Sequence, residues 1–193
     1  GSKKISTYKG AAVMEVIPGI YYNIIVLDIK HMYPSIMMTF NTSPEMISNE
    51  GDIFLPNNIR FKSEPEGLIV ECVKYLINLR KEKYTPRIEE MEKKYGVKSK
   101  EYELAVLDDF TVKSSCNSFY GYLGYTNSRL YDDDKSASSV TCAERLVINH
   151  IIDFVNKELK YKVIYSDTDS IFVVVEKGDK EYLKKKGLEI RDK

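Results

Sequence analysis

The sequence is short of several things, and each absence narrows what it does. It has no excess of charge: 29 Lys and Arg stand against 29 Asp and Glu. The balance is also local, with five of each sign in residues 1–61, eleven of each in 62–113 and thirteen of each in 114–193. A module that grips nucleic acid by itself usually carries a basic excess, so a nucleic-acid role must rest on a few placed groups or on parts outside this chain. Only three cysteines occur, Cys72, Cys116 and Cys142, far apart and without a CxxC pair. This argues against a disulfide framework or a zinc knuckle and fits a reducing cytoplasm. No apolar run approaches the roughly 20 residues of a membrane span, so no membrane partner is expected. No secretory signal leads the chain, and Gly1-Ser2 reads as a cloning remnant. Internal repeats and low-complexity segments are also absent.

What remains is a globular composition, 43% hydrophobic and 30% charged over 193 residues, enough for a substantial core. After the turn signal Pro18-Gly19, the β-branched run Tyr22–Leu27 reads as a buried strand ending on Asp28. Residues 41–65 read as loop with a short strand near Ile53–Leu55. From Gly67 to Tyr95 the pattern is helical, with Leu68, Cys72, Tyr75 and Leu79 at spacings of three and four, a kink or split expected at Pro86, and a glycine stop at Gly96. A second helix spans about Lys100 to Phe119, giving an antiparallel helical hairpin with a charged tip. Asp132-Asp133-Asp134 then precedes a helix over about Ser136 to Leu159; the three acids suit a helix start better than a metal site. Two apolar runs, Tyr161–Ile164 and Ile171–Val175, around a polar turn read as a β-hairpin. The Lys-rich tail after Glu176 reads as a solvated helix. The fold class expected is α+β, an antiparallel sheet backed by helices with an inserted helical hairpin.

The turn Asp167-Thr168-Asp169 is unusual, because a tight hairpin turn ordinarily uses Asn-Gly or Asp-Gly. Two acids there repel each other unless something positive lies between them; the alternative is a plain solvated turn. Asp28 at the end of another strand strengthens the first reading, although alone it would serve as a helix N-cap. If all three strands share one sheet, the acids converge. Oxygen ligands without His or Cys suit Mg²⁺ or Mn²⁺. Carboxylates holding two such ions about 4 Å apart are an apparatus of nucleotidyl transfer. Lys113, Asn117 and Tyr120 lie at i, i+4, i+7 on one helix face and suit a triphosphate and a base. Arg80, Lys83 and Arg87 form a similar stripe on the facing helix; a solvated basic face is the alternative.

These residues carry a family resemblance. Asp28-Ile-Lys-His-Met-Tyr-Pro-Ser-Ile36 resembles motif A of family B DNA polymerases, DxxSLYPSI. Lys113-Ser-Ser-Cys-Asn-Ser-Phe-Tyr-Gly121 resembles motif B, KxxxNSxYG, and Tyr165-Ser-Asp-Thr-Asp-Ser170 resembles motif C, YGDTDS. Tyr8-Lys-Gly-Ala11 is similar to the YxGG/A segment. All four occur in the family's order.

The resemblance implies a palm in residues 3–65 and 122–193, and a fingers hairpin in 66–121. It implies Asp28, Asp167 and Asp169 as catalytic acids, with Asp28, Ile29 and Asp169 as the positions binding two Mg²⁺ or Mn²⁺ ions. Tyr33 would be the steric gate beneath the sugar. Arg80, Lys83, Lys113 and Asn117 would hold the incoming dNTP, with Tyr120 near the nascent base pair. Tyr8, Gly10 and Ser166 would lie along primer–template DNA. Three departures stand out: His31-Met32 replaces Ser-Leu in motif A, Ser166 replaces the glycine of motif C, and Tyr84 stands where the family often has a second fingers lysine. His31 then reads as positional and His150 as structural. Family members also carry exonuclease and thumb modules. The expectation is therefore the catalytic core of a DNA-directed DNA polymerase in the cytoplasm of a prokaryotic or archaeal cell, associated with the nucleoid. The alternative is a non-autonomous binding subunit or fragment of a split polymerase, inactive without those modules.

Overall fold

The structure, a computed structural model, describes residues 9–193; the expectation for Tyr8 lies outside them. In chain order the elements are β1 (Ile24–Asp28), α1 (Met32–Phe40), β2 (Ile53–Phe54), β3 (Arg60–Phe61), α2 (Leu68–Leu79), α3 (Thr85–Tyr95), α4 (Lys100–Leu123), α5 (Lys135–Lys157), β4 (Lys162–Asp167), β5 (Ser170–Val174) and α6 (Lys180–Arg191). The protein is mixed α/β with antiparallel sheets. Two compact units form. Lys9–Met32 with Thr141–Lys193 make a sheet unit, and Tyr33–Val140 belong to a helical unit.

In the sheet unit the strand order is β1-β5-β4, with both pairings antiparallel. Residues Ile24, Ile25, Val26, Val163, Ile164, Val173 and Val174 supply the branched side chains that favour a pleated surface. Alternation along β5 turns Ile171 and Val173 inward, where they pack with Val163, with Ile148 and Val155 of α5, and with Ile190 of α6. Helix α6 also packs against β1 closely: a Cβ at Gly187 would lie 3.1 Å from Cγ2 of Ile25.

The outer edge of β4 is covered by the segment 12–17. Met14 N–H donates to the Ser166 carbonyl (3.2 Å), Ile17 N–H to the Ile164 carbonyl (3.2 Å), and Thr168 N–H to the Ala12 carbonyl (2.9 Å). Strand β1 departs from the full burial expected of its apolar run: Ile24 is 38% and Val26 53% exposed. It lies at an edge of the sheet, and a continuous apolar run does not by itself distinguish burial on one face from burial on two.

In the helical unit, α2 and α3 are joined by a π-helical segment, Arg80–Tyr84. The split falls beside Pro86, as the sequence suggests. Proline has no N–H to bond the carbonyl four residues back, and the widened turn accommodates that loss. Gly96, at φ +82°, ends α3. Ser99 Oγ then caps α4 by accepting the Tyr102 N–H (3.2 Å). Helix α4 packs back along α3 and α2. Ile69, Val70 and Val73 of α2 and Ala105, Val112 and Cys116 of α4 are buried, while α3 buries nothing, in keeping with a charged tip. Helix α4 continues to Leu123, past the end expected at Phe119. At the start of α5 the Asp132 carboxylate accepts the Ser136 N–H (3.1 Å) and hydroxyl (2.6 Å), which is the helix-start role expected of that acidic run. All three cysteines are free.

One buried amide organises the loop ahead of α2. Asn41, only 4% exposed, donates to the carbonyls of Lys62 (2.8 Å) and Pro65 (2.9 Å), and accepts the Gly67 N–H (2.8 Å). Its φ of +48° is one that asparagine tolerates better than most residues. Gly67 is required where it stands, because a Cβ there would lie 2.3 Å from the Ser43 side chain. Asn41→Ala leaves these buried groups without partners and is expected to lower stability by about 2–4 kcal/mol. Urea unfolding followed by circular dichroism measures it, and a change below about 0.5 kcal/mol would contradict this account of the loop.

Candidate active site

The acids expected to converge lie at one end of the three-stranded sheet. Ser170, the first residue of β5, pairs with Asp28 on one side and with Asp167 on the other. Directly paired residues point to the same face. Alternation puts Ser170 on the face of Phe172, opposite the one that Ile171 and Val173 turn to the core. Asp28 and Asp167 therefore flank Ser170 on the face turned away from α5 and α6. Both are exposed, and Asp169 is half-buried in the turn.

The backbone stitches this end together. Ile29 N–H donates to the Asp169 carbonyl (2.8 Å), tying the exit of β1 to the hairpin turn. Thr168 takes a left-handed φ of +50°, and its hydroxyl donates to Asp167 Oδ1 (3.2 Å). Just after β1, His31 is also left-handed, at φ +55°, where the chain reverses into α1. Among the described residues no three His, Cys, Asp or Glu side chains gather closely enough to hold a metal ion. The convergence is thus one of strand ends, not of touching carboxylates. With β5 between them, Asp28 and Asp167 are two strand spacings apart, roughly 10 Å.

Ser166, expected beside DNA, is fully buried on the core side of β4. Gly10 is exposed, and its carbonyl accepts a hydrogen bond from Arg145. His150 is exposed on α5.

The helical unit carries the other expected residues. Lys113 and Asn117 are exposed on one face of α4, and Tyr120, one turn further on, is half-buried. The Tyr120 ring lies 4.4 Å from that of Tyr33 in α1, tilted by 31°. Arg80 sits in the π-helical segment, where its guanidinium grips Asp109 of α4 with two bonds, Nε to Oδ1 (2.9 Å) and a terminal nitrogen to Oδ2 (2.8 Å). Thr85 adds a third bond to Oδ1 (2.9 Å). Arg87 pairs with Asp108 (2.6 Å), and the Lys83 ammonium lies 5.5 Å from the centre of the Tyr84 ring. The stripe Arg80, Lys83, Arg87 is therefore largely engaged within the hairpin.

Two acids were missed from sequence. Asp109 reads as one member of a charged helix tip. In the fold, burial pushes its carboxyl up, but the bonds from Arg80 and Thr85 and the charges of Arg80 and Lys113 outweigh this and hold it below its ordinary 3.8. Glu144 is fully buried on α5, where burial and the Asp169 charge push its carboxyl up against the Ala12 N–H and Arg145. Its signal in the sequence was an acid following the small and apolar run Ser138–Ala143.

Acids aligned at the end of an antiparallel sheet occur here in a mixed α/β protein that also carries a helical hairpin. The family described as DNA polymerase family B has a model that matches residues 1–193. The DNA polymerase of Thermococcus gorgonarius is 32% identical over 198 residues, covering 99% of this chain and 24% of that protein. The DNA polymerase of Archaeoglobus fulgidus is 34% identical over 169 residues, covering 86% of this chain and 21% of that protein. The solved family B DNA polymerase of the hyperthermophilic archaeon Pyrobaculum calidifontis superposes with a TM-score of 0.69 at 35% identity, over all of this chain and 25% of its own. The chain belongs to DNA polymerase family B, and it spans about a quarter of the length of these relatives. No helix among the described residues is long and apolar enough to cross a membrane.

The Arg80–Asp109 pair yields a stability prediction. A carboxyl with a depressed folded value contributes stability above its unfolded value, and that contribution is lost as pH falls through the folded value. Asp109→Asn is expected to cost about 1–3 kcal/mol at pH 7. The gap to the parent should close as pH falls below about 4. Chemical unfolding at stepped pH tests this, and a gap that stays constant down to pH 2 would contradict it.

Proposed function

We propose that this chain is the catalytic palm–fingers core of a DNA-directed DNA polymerase, adding deoxynucleotides from dNTP to a primer 3′-hydroxyl. The observation that carries the proposal is the row Asp28, Ser170, Asp167 with Asp169 beside it at one end of the sheet, in a chain of this family. In this reading the sheet belongs to the palm, residues 3–65 and 122–193, and residues 66–121 are the fingers.

The donor set suits divalent cations. Asp28 and Asp169, with the Ile29 main chain, offer hard oxygen atoms, and neither His nor Cys joins them, which fits Mg²⁺ or Mn²⁺. The wide spacing of the strand ends fits ions between the acids better than direct contact. When bound, two such ions would activate the primer hydroxyl and neutralise charge on the α-phosphate and the departing pyrophosphate. Asp167 stands as a further acid that sets the local field.

The remaining roles are assigned residue by residue. Tyr33, held against Tyr120, is the steric gate that rejects a 2′-hydroxyl, and Tyr120 packs near the new base pair. Lys113 and Asn117, exposed one turn apart, bind the triphosphate, and Arg80 and Lys83 assist. Arg80 would share its charge between Asp109 and phosphate. Tyr8, Gly10 and Ser166 lie along primer–template, with Ser166 acting through its backbone because its side chain is buried.

Positioning of the duplex falls to exonuclease and thumb modules, supplied as parts of the same polymerase or by a second subunit. Orientation supplies a large share of catalysis, so activity is expected only in the assembly. A non-autonomous binding subunit or fragment of a split polymerase is the second reading, favoured by the balance of 29 basic and 29 acidic residues, which leaves no basic excess to grip DNA.

Primer extension by this chain joined to the exonuclease and thumb modules of a family B relative tests the proposal. Magnesium-dependent extension is expected, and Asp169→Asn should lower it about 1,000-fold or more without disturbing assembly. Equal extension with Asn at position 169 would leave only the binding-subunit reading. In the same assembly, Tyr33→Ala should raise ribonucleotide incorporation at least about 10-fold. Unchanged sugar selectivity would remove Tyr33 from the gate.

A further inference from the structure

Glu144 is the one fully buried carboxylate of the sheet unit among the described residues. One oxygen, Oε2, accepts the Ala12 N–H at 2.8 Å, and the other, Oε1, is buried with no hydrogen-bond partner. A buried carboxylate with half its capacity unmet is costly, and an apolar residue of similar volume would avoid that cost while giving up the Ala12 bond. Its presence therefore calls for something other than packing.

The bond to Ala12 leads directly to the acid turn. The same Ala12 uses its carbonyl to accept the Thr168 N–H at 2.9 Å, and Thr168 is the left-handed residue between Asp167 and Asp169. On either side of Ala12 the segment is pinned in the same two directions. Towards α5, the Thr141 hydroxyl and Arg145 guanidinium donate to the Lys9 carbonyl at 3.1 and 2.8 Å. Towards the hairpin, Val13 bridges Asp167 and Met14 N–H donates to the Ser166 carbonyl. Residues 9–14 thus form a strap between α5 and the turn. Glu144 holds the N–H of the one strap residue whose carbonyl accepts the Thr168 N–H, so the two peptide units that meet at Ala12 link α5 to the turn.

We propose that Glu144 is a positioning residue: through Ala12 it sets the backbone of Thr168, and so the placement of Asp167 and Asp169 for cation binding. The cation part rests on the function proposed above. The relay itself does not, so the two are separable by experiment.

The test uses this chain with Glu144→Leu, which removes the acceptor while keeping the volume, and Glu144→Gln, which keeps an acceptor oxygen. Residue-resolved hydrogen exchange reads the relay, and Mn²⁺ titration followed by electron paramagnetic resonance reads the turn. For Glu144→Leu, the Ala12 and Thr168 amides should exchange about 10-fold faster or more, while the amides pairing β5 with β1 stay protected. Mn²⁺ affinity should fall about 10-fold, and the midpoint of thermal unfolding should stay within a few degrees of the parent, because relief of the buried carboxylate offsets the lost Ala12 bond. Glu144→Gln should restore both exchange and affinity to within about threefold of the parent.

Unchanged Thr168 exchange in the Leu variant would overturn the proposal. So would loss of protection across the whole sheet, or failure of both variants to fold, since each would make Glu144 a packing residue. If the parent chain binds no Mn²⁺ at the turn, the cation-site reading fails, and the relay is then judged on exchange alone.

Discussion

Acidic side chains gathered at the end of a sheet repel one another, and everything around them must hold against that repulsion. Two unit charges roughly 10 Å apart at an effective dielectric of 20 repel by about 1.7 kcal/mol. The Thr168 hydroxyl donates to Asp167 Oδ1, and the backbone fixes the strand ends. Asp28 and Asp167 end their strands opposite the same residue, Ser170, and the Ile29 N–H and Asp169 carbonyl close the remaining gap. Behind them the apolar cluster of Val163, Ile171, Val173, Ile148 and Ile190 keeps the strands in register. A one-residue slip in that register would turn the acids to the opposite face. The apolar core and the acid row are thus two faces of one alternation.

The helical unit meets a different constraint. A helix joined to another through a π-helical turn has carbonyls and side chains out of step with the regular ladder, and such segments recur at functional sites. Here the irregularity sets Arg80 against Asp109 of α4, with Thr85 beside it. The result is a half-buried guanidinium with a fixed orientation. Tyr33 and Tyr120 are likewise held against each other rather than left to rotate. Both arrangements limit the conformations that these side chains would otherwise sample.

Much of this was legible in the sequence. The apolar, β-branched runs ending at Asp28 and flanking Asp167–Asp169 marked the strands and the hairpin, and Pro86, Gly96 and Asp132 marked helix boundaries where they fall. Motif A, motif B and motif C carried the family. Long-range partnerships were not legible. Nothing local distinguishes Asp109 from Asp108, yet one is buried under Arg80 and the other pairs with Arg87 near the surface. Glu144 became significant only when the fold brought residue 12 to it across 132 positions of sequence. The exposure of β1 was misread for a related reason: burial of a strand's second face depends on neighbours that the strand's own residues do not specify.

The central claim is that the acid row is a site for divalent cations serving nucleotide chemistry. Anomalous diffraction from crystals of this chain grown with Mn²⁺ and a non-hydrolysable dNTP tests it most directly. The account predicts manganese peaks within about 2.3 Å of carboxylate oxygens of Asp28 and Asp169. Peaks confined to other acids, such as Asp132–Asp134, or none at the sheet end at millimolar Mn²⁺, would contradict it.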